Sequence, residues 1–115
     1  MCTGSLLLGA AGILDGLEAT THWLSLDLLE RLGVRPVERR VVEQGKVIAS
    51  AGVSAGIDMA LTLAARIAGE KAAQAIQLSI EYDPVPPFDS GSPAKASPEV
   101  TELVRAAVAR YTETR

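Results

Sequence analysis

Residues 1–14 place the only cysteine of the chain directly before an apolar segment. Cys2 is followed by three small residues and then by leucines, glycines and alanines. Helix N-termini present free N–H groups and a partial positive charge, which favour a thiolate over a thiol. The pattern predicts a nucleophile on a tight turn that leads into a helix over residues 4–13, apolar on every face and therefore buried. Such a turn requires a preceding strand, yet one residue precedes Cys2.

The composition excludes several kinds of partner. A net charge of −3 and 3% aromatic residues give no electrostatic or stacking surface for nucleic acid. One cysteine and one histidine are too few for a metal site, and a lone cysteine fits a reducing cytoplasm. The apolar run at residues 6–14 follows no basic residue and is too short to cross a bilayer. We therefore expect a cytoplasmic protein that binds no metal, membrane or nucleic acid.

The rest of the sequence alternates helix and strand signals. The first predicted elements are a strand over residues 18–23, a helix capped by Ser25 with Leu28, Leu29 and Leu32 inward, and a hairpin of residues 36–43 and 46–51 joined at Gln44 and Gly45. Two helices follow, one capped by Ser54 and ending near residue 68, and one over residues 70–82 with Ala73, Ile76 and Ile80 inward. An extended arm over residues 83–93 and a final helix capped by Ser97 complete the sequence. This order is typical of an α/β domain.

A continuously apolar first helix in an α/β domain expects strands before it. The predicted fold is therefore the carboxy-terminal portion of a doubly wound, flavodoxin-like α/β sandwich whose amino-terminal strands are missing. We expect this partial domain to occupy residues 1–96, and the carboxy-terminal helix to occupy residues 97–115.

The helix over residues 54–68 has one narrow polar stripe, made by Asp58, Thr62 and Arg66 at intervals of four. The other positions are apolar, so most of its circumference is expected to be buried. Asp58 is interpreted as a first-turn acid that stabilises its own helix. Arg39 and Arg40, on the hairpin, are interpreted as a solvated edge.

Two residues have competing interpretations. Cys2 is either a nucleophile or a small buried hydrophobic residue, and removal of Met1 would make it an amino-terminal nucleophile. His22, the only histidine, is either a hydrogen-bonded residue at a strand end or a group that shapes a site near the thiol.

Four ordered blocks, residues 2–16, 19–23, 52–61 and 77–88, resemble the ThiJ/PfpI superfamily, whose fold is that of class I glutamine amidotransferases. The third and fourth blocks are similar to the isonitrile hydratase branch. The first three are shared with the amidotransferase-like domains of AraC-type regulators. The resemblance implies a domain nearly twice this length, usually dimeric. A front half would supply the strand entering the cysteine turn, an acidic residue and a glycine-rich oxyanion loop. Family members often have valine at the position of Met1, and a valine codon can serve as a bacterial start codon that is translated as Met. We therefore expect a truncated gene model or fragment.

The resemblance also implies a reaction. An isonitrile hydratase adds water to R–N≡C to give an N-substituted formamide. Cys2 would attack the isonitrile carbon to form a thioimidate, Thr3 would help to move protons, and Gly4 and His22 would support the pocket or the oxyanion. Peptidase-like relatives have histidine at the position of Thr3, so Thr3 argues against peptide cleavage. The implied partner is a small-molecule substrate, with no cofactor.

Other functions stay open at this stage. A non-catalytic ligand-sensing domain, as in AraC-type regulators, predicts a helix-turn-helix module downstream. Other ThiJ/PfpI activities, peptidase or glyoxalase/deglycase, are further alternatives. The chain alone is also expected to expose sheet edges and helix faces, and so to be inactive.

Overall fold

The computed structural model describes residues 1–113. The elements it contains, in chain order, are α1 Gly4–Ala10, β1 Glu18–Ala19, a 3₁₀ turn at Trp23–Ser25, α2 Leu26–Arg31, β2 Arg35–Pro36, β3 Val41–Gln44, β4 Val47–Ser50, α3 Ala55–Ala68, α4 Glu70–Ser79 and α5 Pro98–Glu113. The contacts divide the chain into two units, Met1–Asp83 and Pro84–Arg115. The α/β class predicted from the sequence is confirmed.

The strands form two pairs. β1 and β2 are parallel, with Glu18 opposite Arg35, and β3 and β4 are antiparallel, with Val42 opposite Ala49. The predicted hairpin is confirmed, but its two-residue turn is residues 45–46 rather than 44–45. The predicted first strand of the hairpin was too long, because Pro36 pairs with β1 instead. The strand predicted over residues 18–23 is also shorter: β1 ends at residue 19, and a 3₁₀ turn begins at residue 23.

The core of the first unit is small and aliphatic. Its buried members are Leu14, Ala19, Leu29, Val34 and Ala49. Leu14 and Leu29 have no exposed surface. The cluster joins the segment after α1, which contains Leu14, to β1, α2 and β4. The cluster packs at β1 and β4, and the residues that follow these two strands, Thr21 and Ala51, form hydrogen bonds with Cys2.

Helix α1 is not buried on every face, and that prediction was wrong. Only Ser5 and Gly9 of this helix are buried, and Leu7 is 75% exposed. The helix also ends at residue 10 rather than at residue 13. Within the described part of the chain α1 packs against α2 on one side, so apolar residues on its other side face solvent.

The same correction applies to the other helices of this unit. The predicted bounds of α3 are confirmed, although Ser54 makes no side-chain capping hydrogen bond. Ala55 alone is buried among the residues of α3, and Ile67 is 78% exposed. α3 packs against α4 and the hairpin, which leaves the rest of its circumference uncovered by residues 1–113. α4 ends at residue 79 rather than at residue 82. Leu28 of α2, Ile76 of α4 and Ile80 just after α4 were predicted to face inward but are exposed.

The second unit contains the proline-rich segment and α5. Residues 84–97 contain neither helix nor strand, as predicted for the arm. The Ser97 hydroxyl accepts a hydrogen bond from the Val100 N–H at 3.3 Å, which confirms the predicted cap of α5. One side of α5 presents exposed apolar residues, including Leu103 and Val108. The predicted domain boundary at residues 96–97 stays a prediction.

Candidate functional site

Cys2 has an unusual main-chain conformation. Its φ is 48°, in the left-handed region that costs a non-glycine residue about 1–2 kcal/mol. Three hydrogen bonds hold it: the Cys2 N–H donates to the Ala51 carbonyl at 2.9 Å, and the Cys2 carbonyl accepts from the Thr21 hydroxyl at 2.8 Å and from the Ser5 N–H at 3.3 Å. The turn therefore connects the ends of β1 and β4 to the start of α1.

Thr3 and Gly4 continue this turn into α1. Thr3 is the N-cap residue, it is exposed, and its side chain makes no capping hydrogen bond. Its hydroxyl is therefore open to a ligand beside the partly exposed Cys2. A Cβ added at Gly4 would meet nothing within 4 Å. No atom among residues 1–113 thus requires glycine here, and the space beside Gly4 is open.

His22 lies at the end of β1, beside the β4–α3 connection. Its Nδ1 accepts a hydrogen bond from the Leu24 N–H at 3.2 Å. A Cβ added at Gly52 would lie 3.3 Å from Cδ2 of His22, so the ring packs against this connection. Among residues 1–113, His22 forms no hydrogen bond with the Cys2 thiol. His22 therefore caps the 3₁₀ turn. This contact agrees with its interpretation as a hydrogen-bonded residue at a strand end.

Buried hydroxyl groups flank the turn. Thr20 and Thr21 are buried at the end of β1, and Ser5 and Ser50 are buried on α1 and β4. The Ser5 and Ser50 hydroxyls have no hydrogen-bond partner among the described residues. An unpaired buried hydroxyl costs about 1–3 kcal/mol, so these two positions are not explained by stability.

A second polar cluster was missed by the sequence analysis. One oxygen of Asp58 accepts from Arg40 Nε at 2.5 Å, and the other accepts from the Tyr82 hydroxyl at 2.5 Å. Arg40 also reaches the Ser54 hydroxyl at 3.4 Å. Asp58 does lie in the first turn of α3, as predicted, but it also binds the side chains of one residue just before β3 and one just after α4.

The pKa values follow from these contacts. Burial opposes ionisation of Asp58, but hydrogen bonds from Tyr82 and Arg40 outweigh it and lower the pKa of Asp58 from its ordinary value of 3.8. The hydrogen bond to Asp58 raises the pKa of both Arg40 and Tyr82. The cluster is thus an anion held by a cation and a neutral phenol.

The polar stripe of α3 was the signal for this cluster. Two of its members form ion pairs with the hairpin side: Asp58 with Arg40, and Arg66 with Glu43 of β3. Arg40 is therefore paired rather than simply solvated, although half of its side chain is exposed. Arg39 pairs with Glu18 at 3.3 Å.

Other site types are not evident. A shallow cavity of about 250 Å³ lies between the hairpin turn and α3, lined by residues such as Lys46, Leu63 and Arg66, and none of the predicted site residues lines it. Residues 1–113 include no group of three or more potential metal ligands. No helix in the same range is long and apolar enough to cross a membrane.

Comparison with known proteins places the chain among characterised relatives. The sequence profile of the DJ-1/PfpI family matches residues 1–66. The chain is 54% identical over 105 residues to isonitrile hydratase of Pseudomonas putida, covering 91% of this chain and 46% of that protein. It is 39% identical over 82 residues to the HTH-type transcriptional regulator CdhR of Pseudomonas aeruginosa, covering 70% of this chain and 24% of that protein.

A solved structure agrees with these matches. The crystal structure of a THiJ/PfpI family protein from Pseudomonas syringae superposes with a TM-score of 0.90 at 44% identity, covering 97% of this chain and 46% of that one. The chain thus spans less than half of the length of these relatives.

Proposed function

The chain belongs to the DJ-1/PfpI family, and we propose that it is the cysteine-bearing part of an isonitrile hydratase-like lyase. The observation that carries the proposal is the left-handed main chain of Cys2, directly before α1, in a chain 54% identical to isonitrile hydratase. A residue held in a strained conformation by several contacts is typical of functional sites. A cysteine in that position is suited to nucleophilic catalysis.

The reaction proceeds through a covalent intermediate. The Cys2 thiolate forms a C–S bond with the terminal carbon of R–N≡C, and that carbon takes one proton, which gives a thioimidate. Water then adds across the C=N bond, its hydroxyl to the carbon and its proton to the nitrogen. The C–S bond breaks as the hydroxyl becomes the carbonyl and gives up its proton, which replaces the proton taken up in the first step, and the N-substituted formamide and the thiolate are released. No electron is gained or lost overall, so the reaction uses no redox cofactor.

The neighbouring residues have supporting roles in this proposal. The exposed Thr3 hydroxyl, next to Cys2, relays protons to and from the reacting carbon and nitrogen. The open space at Gly4 admits the substrate close to the main chain. His22 acts indirectly: it packs on Gly52 and so supports the connection to which Cys2 is bound.

The proposed active form is a completed domain. This chain corresponds to 46% of the isonitrile hydratase length, and α1 and α3 expose apolar residues such as Leu7 and Ile67. We propose that these faces belong to the carboxy-terminal portion of a doubly wound, flavodoxin-like sandwich, covered by a front half that also supplies an acidic residue. The completed protein is proposed to be a cytoplasmic homodimer.

A ligand-sensing domain is the second candidate. Its support is the 39% identity to CdhR over 70% of this chain. A sensing domain would bind its small molecule without releasing a product, so product formation separates the two candidates.

The covalent intermediate provides the test. For this purpose the portion of the P. putida enzyme outside the aligned region is fused before Met1. The fusion is mixed with benzyl isonitrile, quenched in acid, digested and analysed by mass spectrometry. We expect one isonitrile equivalent on the Cys2 peptide and none there in a Cys2→Ala variant. Formamide production without that adduct, or an adduct at another residue only, would contradict the proposal.

A further inference from the structure

We propose that Arg40, Asp58 and Tyr82 form a positioning cluster for Cys2, acting on its main chain through Ala51. This inference rests on the proposed function, in which Cys2 is the nucleophile. None of the three residues touches the thiol. Their contribution is to fix the connection between β4 and α3, residues 51–54, to which the cysteine turn is bound.

Arg40 holds this connection at both ends. Its main-chain carbonyl accepts the Ala51 N–H at 2.9 Å, and its guanidinium contacts the Ser54 hydroxyl at 3.4 Å and Asp58 at 2.5 Å. One residue thus contacts the first and last positions of the connection and the first turn of the helix that follows it. The β4–α3 connection cannot shift relative to Arg40 without breaking at least one of these contacts.

Asp58 and Tyr82 complete the cluster. Both carboxylate oxygens of Asp58 are occupied, one by Arg40 and the other by the Tyr82 hydroxyl at 2.5 Å. Tyr82 lies just beyond α4, and its own N–H donates to the Gln77 carbonyl at 3.1 Å. The cluster therefore joins the residue before β3, the start of α3 and the end of α4.

Ala51 transmits this position to Cys2. The Ala51 carbonyl accepts the Cys2 N–H at 2.9 Å, while its own N–H is held by Arg40. On the other side of Cys2, the Met1 side chain packs against Gly56 in the first turn of α3, where an added Cβ would collide with its sulfur. The residues before and at Cys2 therefore both depend on the placement of the β4–α3 connection and of α3.

The conformation of Cys2 explains why such support is needed. A left-handed cysteine persists only where surrounding contacts outweigh the preference for ordinary φ values. The Ala51 contact is the one that holds the Cys2 N–H. The Asp58 carboxylate is charged at neutral pH, and the groups that contact it are Arg40 and Tyr82.

Native-state hydrogen exchange tests this inference on the 115-residue chain, with the amides of Cys2, Ser5 and Ala51 as reporters. The variants are Asp58→Asn and Tyr82→Phe. The matched control is Arg66→Ala, which removes another ion pair between α3 and the hairpin. We expect exchange at Cys2 and Ala51 to rise about tenfold in both variants, and to rise clearly less at the β3 and β4 amides. The control should leave Cys2 and Ala51 at their wild-type rates.

Several results would overturn the inference. One is equal exchange at Cys2 in Tyr82→Phe and in Arg66→Ala, and another is a uniform rise at all amides, which indicates global destabilisation. A third is exchange of the wild-type Cys2 amide at the rate of the urea-unfolded chain. If Asp58→Asn does not fold, the Tyr82→Phe variant alone tests the inference. It removes only the hydroxyl that contacts Asp58 and so perturbs the fold least. The readout needs no turnover, so failure of the hydratase proposal is recognised separately.

Discussion

At the scale of single residues, the strain at Cys2 is offset by its own hydrogen bonds. A left-handed conformation costs about 1–2 kcal/mol, and each hydrogen bond returns about 0.5–1.5 kcal/mol. The three bonds with Ala51, Thr21 and Ser5 can therefore offset this cost as long as their partners stay in place. Small residues after Cys2 made a tight turn predictable. The partners, which come from distant positions of the chain, were not.

Ser50 gives a stability prediction at this scale. Its hydroxyl is fully buried and has no hydrogen-bond partner among residues 1–113, so Ser50→Ala should raise the free energy of unfolding by about 1 kcal/mol. Thr21→Val is the matched control, because it removes a hydroxyl that does bind the Cys2 carbonyl, and it should lower the same quantity by a similar amount. Urea denaturation measures both. A loss of stability in Ser50→Ala would show that its hydroxyl is paired in solution.

At the scale of helices and strands, local signals predicted the elements well but not their burial. Ser97 and Pro98 start α5, and Gly69, with a φ of 93°, separates α3 from α4. These signals lie within a few residues of the boundary they set. Burial depends on what packs against a face. The apolar character of Leu7 and Ile67 could not reveal whether a covering element lies within residues 1–113.

For the polar stripe of α3, the sequence predicted which residues share a face but not which residues they contact. Spacing by four placed Asp58 and Arg66 on one face, and that part of the prediction is sound. Their partners are Arg40, Tyr82 and Glu43, which lie 18 to 24 residues away. No local pattern in a single sequence identifies such partners. The clusters that position the candidate site are therefore tertiary features.

The contribution of Asp58 to the free energy of unfolding is expected to decrease as the pH falls. Its pKa is lowered in the folded state, so its stabilising effect is complete above the ordinary value of 3.8 and is lost as the pH falls through the lower folded value. Because the pair with Arg40 is partly exposed, its worth at pH 7 is about 1 kcal/mol or less. Wild type should exceed Asp58→Asn in unfolding free energy at pH 7, and the difference should shrink as the pH falls below 3.8. Urea titrations at pH 7, 5, 4 and 3 measure this. A difference that grows toward acid pH would contradict the assignment.

At the scale of the whole molecule, the buried core is small for the apolar surface displayed. Exposed patches larger than a few hundred Å² usually mark surfaces that contact other protein. The relatives offer a simple explanation, since this chain spans 46% of the isonitrile hydratase of P. putida and 46% of the P. syringae structure. The proposal of a completed domain thus accounts for the exposed faces of α1 and α3. It also places the Cys2 turn inside a larger protein.

The most direct measurement is formation of N-benzylformamide from benzyl isonitrile by the fusion with the remaining portion of the P. putida enzyme. We expect product from the fusion, none from the 115-residue chain alone, and a loss of at least about 10³-fold in rate for Cys2→Ser in the fusion. Activity of the chain alone would refute the completed-domain proposal while leaving the chemistry intact. Equal rates for the fusion and its Cys2→Ser variant would contradict the central claim that Cys2 is the nucleophile.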